Sequence, residues 1–176
     1  MTLRLIATGG TFDKVYDPLN GELRFTRSHV PDLLSRARLP ADRFVVEELM
    51  LMDSLDMTDR HRQKVLAACR ASPEHRIVVI HGTDTMADTA AVLAAASLPV
   101  TIVLTGAMVP YTIDRSDALF NLGHAIGCAQ QLPPGVYIAM NGQAHHWDRV
   151  RKNRALGVFE PLEERPPARR RARART

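Results

Sequence analysis

The sequence predicts an α/β fold: a doubly wound, mostly parallel sheet with helices on both faces, three layers in a single domain. Three observations carry this expectation. Five short runs are apolar and rich in valine and isoleucine, the pattern of strands buried on both faces. Between them lie stretches whose apolar residues recur at helical spacing. Strand and helix then alternate along the chain, which implies right-handed crossovers between parallel neighbours.

Taken in order, residues 3–7 form the first strand and run into Thr8-Gly9-Gly10-Thr11. Residues 11–21, polar and holding Pro18 and Gly21, read as a mobile lid that carries Tyr16. The second strand, 44–51, is followed by Asp53-Ser54-Leu55-Asp56 and by a helix over 59–71. The third, 77–80, ends in His81-Gly82-Thr83-Asp84-Thr85. A helix over 85–97 follows, with Met86, Ala90, Leu93 and Ala94 on one side and Thr85 and Asp88 at capping-box spacing. The fourth strand, 100–104, leads to Thr105-Gly106-Ala107-Met108 and then to a helix over 115–130 built on Leu119, Leu122, Ile126 and Ala129. Asp114 and Asp117 stand near its start, where negative charge is favoured by the helix dipole. A fifth strand, 136–140, completes the pattern, and no internal repeat is found.

Composition narrows the function classes. With 176 residues and 45% hydrophobic content the chain can build one core, and no apolar run approaches the roughly 20 residues of a membrane span. The start of the chain lacks the pattern of a secretory signal, so a cytoplasmic protein is expected. Cys69 and Cys128 are far apart and fall within helices, which favours free thiols over a disulfide or metal site. His145 and His146 have no metal-ligand spacing with His81 or His124, and no metal site is expected. The net charge of +4 comes from six arginines in residues 165–176, so residues 1–164 are net negative. Two segments follow from this: a domain over 1–164 and a disordered Arg-rich tail over 165–176. A nucleic-acid role led by that tail finds no aromatic stacking platform in support, and binding to nucleic acid or membrane is not expected.

Ligands of doubly wound sheets bind beyond the carboxyl ends of the strands, and this sequence gathers its hydroxyls and glycines there. Two glycines before Thr11 allow a close approach to the backbone, and an exposed threonine is a nucleophile once a base or hydrogen-bond network activates it. Thr83 and Asp84 suit water activation or the binding of an ammonium group, and equally suit a helix cap.

Together, Thr8-Gly-Gly-Thr11, His81-Gly-Thr-Asp-Thr-Met86, Thr105-Gly-Ala-Met108 and Asp114-Arg-Ser-Asp-Ala-Leu-Phe-Asn-Leu122 resemble, in order and spacing, the bacterial L-asparaginases and glutaminase-asparaginases. The resemblance covers roughly residues 3–160. It implies an amidohydrolase that converts L-asparagine to L-aspartate and ammonia, acts weakly or not at all on L-glutamine, and needs no cofactor. By that likeness Thr11 is the nucleophile forming a β-aspartyl enzyme and Tyr16 orients and activates it. Thr83, Asp84 and Lys152 form a second group, in which the lysine polarises Thr83. Ser54 binds the substrate α-carboxylate and Asp84 the α-ammonium group, while main-chain amides near Thr11 and Thr83, with Gly10 and Gly82 beside them, supply the oxyanion hole.

The sequence departs from the family pattern at Leu55, where a polar substrate contact is common, and in its length, about half that of the usual two-domain members. A short single-domain form without the C-terminal domain is therefore expected, working as a homo-oligomeric dimer or tetramer. The contrasting reading is a module on the same fold that binds aspartate or asparagine without turnover.

Overall fold

A computed structural model describes residues 2–162, so the expected tail over 165–176 lies outside the described residues. The central sheet has six strands: β1 (Leu3–Gly9), β4 (Phe44–Met52), β5 (Arg76–Ile80), β6 (Thr101–Thr105), β7 (Gly135–Met140) and β8 (Gln143–His146). Their spatial order is β4-β1-β5-β6-β7-β8. All neighbours run parallel except β7 and β8, which are antiparallel. The expected mostly parallel sheet is thus the one observed, with an added edge strand.

Alternation of side chains divides the buried apolar residues of the strands between two cores. Leu5, Ala7, Val78, Ile80 and Val103 face α1 (Val30–Arg36) and α4 (Ala118–Gln131), where Leu33, Leu122, Ala125 and Ala129 meet them. Ile6, Ile77, Val79, Ile102, Leu104 and Ile138 face α2 (Asp59–Ala71) and α3 (Met86–Ala95) through Val65, Leu66, Ala90 and Leu93. Burying each such aliphatic side chain contributes about 1.5–3 kcal/mol before chain entropy is counted, which explains why the two faces lock the strand register. Met86 and Met57 are buried, in keeping with methionine as core filler, whereas Met50 and Met52 are only half-buried. Cys69 and Cys128 are free, and burial pushes the Cys69 thiol up to about 12.

Several elements differ from expectation. Residues 11–21 are not a loop: a single 3-10 turn, Thr11–Asp13, leads into β2 (Lys14–Asp17), which pairs antiparallel with β3 (Glu22–Phe25). Helix α1, with Pro31 in its first turn where a missing N–H costs nothing, has no counterpart among the expected elements. A second hairpin, β9 (Val150–Asn153) and β10 (Val158–Pro161), stands outside the main sheet. The capping box at Thr85 does not form: its hydroxyl donates instead to the Ser54 carbonyl at 2.8 Å, so a tertiary contact displaces the local cap. Asp117 likewise caps no helix by its side chain; its carboxylate accepts from the Met108 and Val109 amides and from Asn121. Asp114 is almost fully exposed.

Candidate active site

Three loops at the carboxyl ends of β1, β4 and β5 interlock. Gly10 has φ of 72°, and a side chain there would strike the Gly82 backbone. A side chain on Gly82 would in turn strike Ser54. The two glycines therefore serve to bring Thr11, Ser54 and Thr83 to one small region. The Gly10 N–H donates to the Met52 carbonyl at 2.9 Å, so this amide supplies no oxyanion contact, contrary to what its place beside Thr11 suggests. Ser54 is 1% exposed and its hydroxyl has no hydrogen-bond partner. Such a group is costly to leave unpaired, and a ligand carboxylate would satisfy it.

The Thr83 hydroxyl sits beneath this surface. Lys152 Nζ donates to Thr83 Oγ1 at 2.8 Å and to Asp84 Oδ1 at 3.0 Å. Lys152 is 16% exposed and Asp84 31%, so the ion pair is partly shielded from water. Arg154 Nε stands 3.7 Å from the same carboxylate oxygen. The lysine arrives from the β9–β10 hairpin, nearly 70 residues downstream in the chain, and the fold alone brings the three groups together. Thr83 in turn points its hydroxyl hydrogen toward the sulfur of Met108 at 3.8 Å.

His81 fixes the turn from below. Its Nδ1 lies 2.7 Å from the Gly82 carbonyl, which only accepts, so Nδ1 carries the hydrogen and Nε2 accepts from the Thr89 hydroxyl at 2.7 Å. Burial pushes the imidazole pKa down to about 4, and the ring is neutral. It is a structural member of the turn, not a metal ligand. Among the described residues no group of three or more His, Cys, Asp or Glu side chains is placed to hold a metal ion. His146 instead bonds Asp148 at 2.6 Å.

Tyr16 is placed differently. It projects from β2 with 57% of its surface exposed, and among the described residues no hydrogen bond joins it to Thr11. The hairpin is held at its base by Lys14, whose Nζ meets Asp53 Oδ2 at 2.5 Å. Burial alone would raise the Asp53 pKa, but the hydrogen bonds from Lys14 and the Leu55 amide, with the Lys152 charge nearby, hold it below the ordinary range. Leu55 itself points outward, 64% exposed. Sequence reasoning missed the Lys14–Asp53 tie and the roles of His81, Asp117 and Asn121, because each is set by how the folded backbone brings loops together and not by residue spacing.

A family model for the N-terminal part of asparaginases matches residues 2–169. The chain belongs to the asparaginase family. It is 29% identical over 162 residues to the L-asparaginase of Thermococcus kodakarensis, covering 90% of this chain and 49% of that protein. It is 32% identical over 160 residues to L-asparaginase 1 of Escherichia coli K12, covering 85% and 47%. A glutamyl-tRNA(Gln) amidotransferase protein of Aeropyrum pernix also matches, at 36% over 106 residues, or 53% of this chain and 25% of that one. The solved structure of the thermostable Thermococcus kodakarensis L-asparaginase superposes with a TM-score of 0.82 at 28% identity, over 94% of this chain and 52% of that one. This asparaginase-family chain thus spans about half the length of the L-asparaginases it matches.

Proposed function

We propose that this chain is an amidohydrolase that hydrolyses the side-chain amide of L-asparagine to L-aspartate and ammonia, with L-glutamine at most a weak substrate. The observation that carries the reading is the Lys152 ammonium held within 2.8 and 3.0 Å of Thr83 and Asp84, a group suited to moving a proton beside a hydroxyl. In this reading Thr11 Oγ attacks the amide carbon and gives up its proton within the site, the C–N bond breaks, and the nitrogen takes that proton and leaves as ammonia. Tyr16 orients the attacking hydroxyl. Water then attacks the β-aspartyl ester, with its proton accepted through the Thr83, Asp84 and Lys152 group, and aspartate departs as Thr11 is restored. Ser54, with its unpaired buried hydroxyl, takes the α-carboxylate, and Asp84 takes the α-ammonium group. No step is routed through a metal or organic cofactor.

Three large apolar side chains, Leu19, Leu55 and Leu156, are 93, 64 and 71% exposed in the same segments that bring Tyr16, Ser54 and Lys152. Their exposure supports a homo-oligomer, a dimer or tetramer, and light scattering that finds a monomer at working concentration would overturn it. Among the described residues no helix is long and apolar enough to cross a membrane. The two free thiols favour a cytoplasmic location.

The test is ammonia release from asparagine and glutamine over micromolar to tens of millimolar substrate, for the wild type beside Thr11→Ala and Thr83→Ala. The reading expects release from asparagine that each substitution removes in folded protein. The exposed Tyr16 favours a second reading, a module that binds aspartate or asparagine without turnover. Calorimetric binding of aspartate with no ammonia release would establish that module instead.

A further inference from the structure

The β9–β10 hairpin that delivers Lys152 lies outside the main sheet, so something must fix its position to within the tolerance of a hydrogen bond. Part of the answer is packing: Val150 and Phe159 are each 5% exposed and join the core formed by Val136, Ile138 and Met140. Packing alone is non-directional and leaves a two-stranded ribbon free to slide or tilt. Apart from the Lys152 and Arg154 contacts with Thr83 and Asp84 themselves, the directional element is a chain of two amide side chains.

Asn121, fully buried on α4, donates from Nδ2 to the Gly106 carbonyl at 3.0 Å and to Asp117 Oδ2 at 2.8 Å. Its Oδ1 accepts from the Asn141 N–H at 3.2 Å. Asn141 Oδ1 accepts from the Phe159 N–H at 2.9 Å. Phe159 is the residue directly opposite Lys152 in the hairpin ladder. The same Asp117 that accepts from Asn121 also holds the Met108 amide, and the Met108 sulfur is the acceptor beside Thr83. One connected network therefore grips both the loop against Thr83 and the strand that faces Lys152.

Local chemistry suits Asn141 to this place. It has φ of 54° and Gly142 φ of 76°, the pair of positive values that a two-residue β7–β8 turn requires, and asparagine tolerates this conformation better than most residues. Asparagine, aspartate and glycine are the residues suited to the first position of such a turn. Only a short side chain ending in an acceptor also reaches the Phe159 amide.

We infer that Asn121 and Asn141 are positioning residues, which set the Lys152 ammonium against Thr83 and Asp84 by anchoring the backbone opposite it. Neither touches the group itself. This inference rests on the proposed amidohydrolase reading for its kinetic consequence, though not for its geometry.

The test compares Asn141→Gly, which keeps the turn and removes the acceptor, with Asn141→Asp, which keeps both. The chain has three lysines, Lys14, Lys64 and Lys152, so the side-chain ammonium signals of a ¹⁵N-lysine-labelled sample are assignable with Lys152→Arg. The expected result for Asn141→Gly, with melting confirming a folded protein, is a displaced Lys152 ammonium signal. Its kcat falls by about tenfold to a hundredfold, at a KM close to wild type. Asn141→Asp restores both. An unchanged Lys152 ammonium signal in folded Asn141→Gly overturns the inference. So does a fall in kcat that Asn141→Asp fails to restore. A wild type that releases no ammonia removes the amidohydrolase reading alone, and the lysine signals then decide the positioning by themselves.

Discussion

Two hairpins stand outside the main sheet, and they are held in opposite ways. The β9–β10 hairpin buries Val150 and Phe159, is bonded through Asn141, and already places Lys152 at 2.8 Å from Thr83. The β2–β3 hairpin exposes Tyr16 and Leu23, leaves Leu19 at its tip 93% exposed, and is tied to the body at Lys14, by the Asp53 ion pair and by a bond from Thr112 to the Lys14 carbonyl. In the proposed site, the difference separates the part built by folding from the part left for a ligand to complete. The lysine group is preassembled; the tyrosine is not.

If that contrast holds, removing the preassembled member has the largest effect. Lys152→Met lowers kcat by about 10²–10⁴-fold with KM changed only a few-fold, as measured by steady-state ammonia release. A kcat within tenfold of wild type would place proton handling elsewhere. Tyr16→Phe keeps the ring and removes the hydroxyl, and its expected loss in kcat is smaller, about 10–100-fold. Equal losses from the two substitutions would erase the distinction between the hairpins.

Stability sharpens the comparison at the root of the β2–β3 hairpin. Asp13 is buried in the turn that follows Thr11, where burial pushes its carboxyl up to about 6 against the pull of the His29 N–H and Ser28 hydroxyl bonds. The folded protein thus binds this proton more tightly than the unfolded chain, so the Asp13 contribution falls as pH rises from its ordinary 3.8 to about 6. His81, pushed down to about 4 from 6.5, works in the other direction: stability falls as acid protonates the unfolded imidazole first. Asp13→Asn removes the first slope and leaves the second. Urea unfolding should then show stability rising by about 2 kcal/mol between roughly pH 4.5 and 6.5, where the wild type is nearly flat. A flat profile in Asp13→Asn contradicts this balance.

The smallest effect belongs to the tie itself. Asp53→Asn removes a partly exposed ion pair and costs at most about 1 kcal/mol in global stability. Its signature is local: faster hydrogen exchange over residues 14–25 with residues 150–161 unaffected. Equal acceleration in both segments would mean that the hairpins move together.

What burial dictates is legible in the sequence. Runs such as 77–80 and 100–104 need no partner to be recognised as strands covered on both sides, and the loops after them follow from the topology. The first hairpin escapes because 14–17 and 22–25 alternate weakly and carry Lys14, Asp17, Glu22 and Arg24, so their pattern is that of a polar loop. The β7–β8 turn carries a signal in Asn141-Gly142, a pair that favours a tight hairpin, yet the expected pattern ended at residue 140 and left the antiparallel edge strand out. The place of Lys152 is readable only by family likeness, since nothing local joins it to Thr83. The Thr85 capping box fails because the hydroxyl finds a stronger use on Ser54, a choice made by tertiary contact.

The most direct test of this account follows hydrogen exchange across both hairpins with and without saturating L-aspartate. The account predicts that aspartate slows exchange over residues 14–25 while residues 150–161, already fixed, change little. Protection gained only in 150–161, or in neither segment despite bound aspartate, would contradict a site half built by the fold and half closed by its ligand.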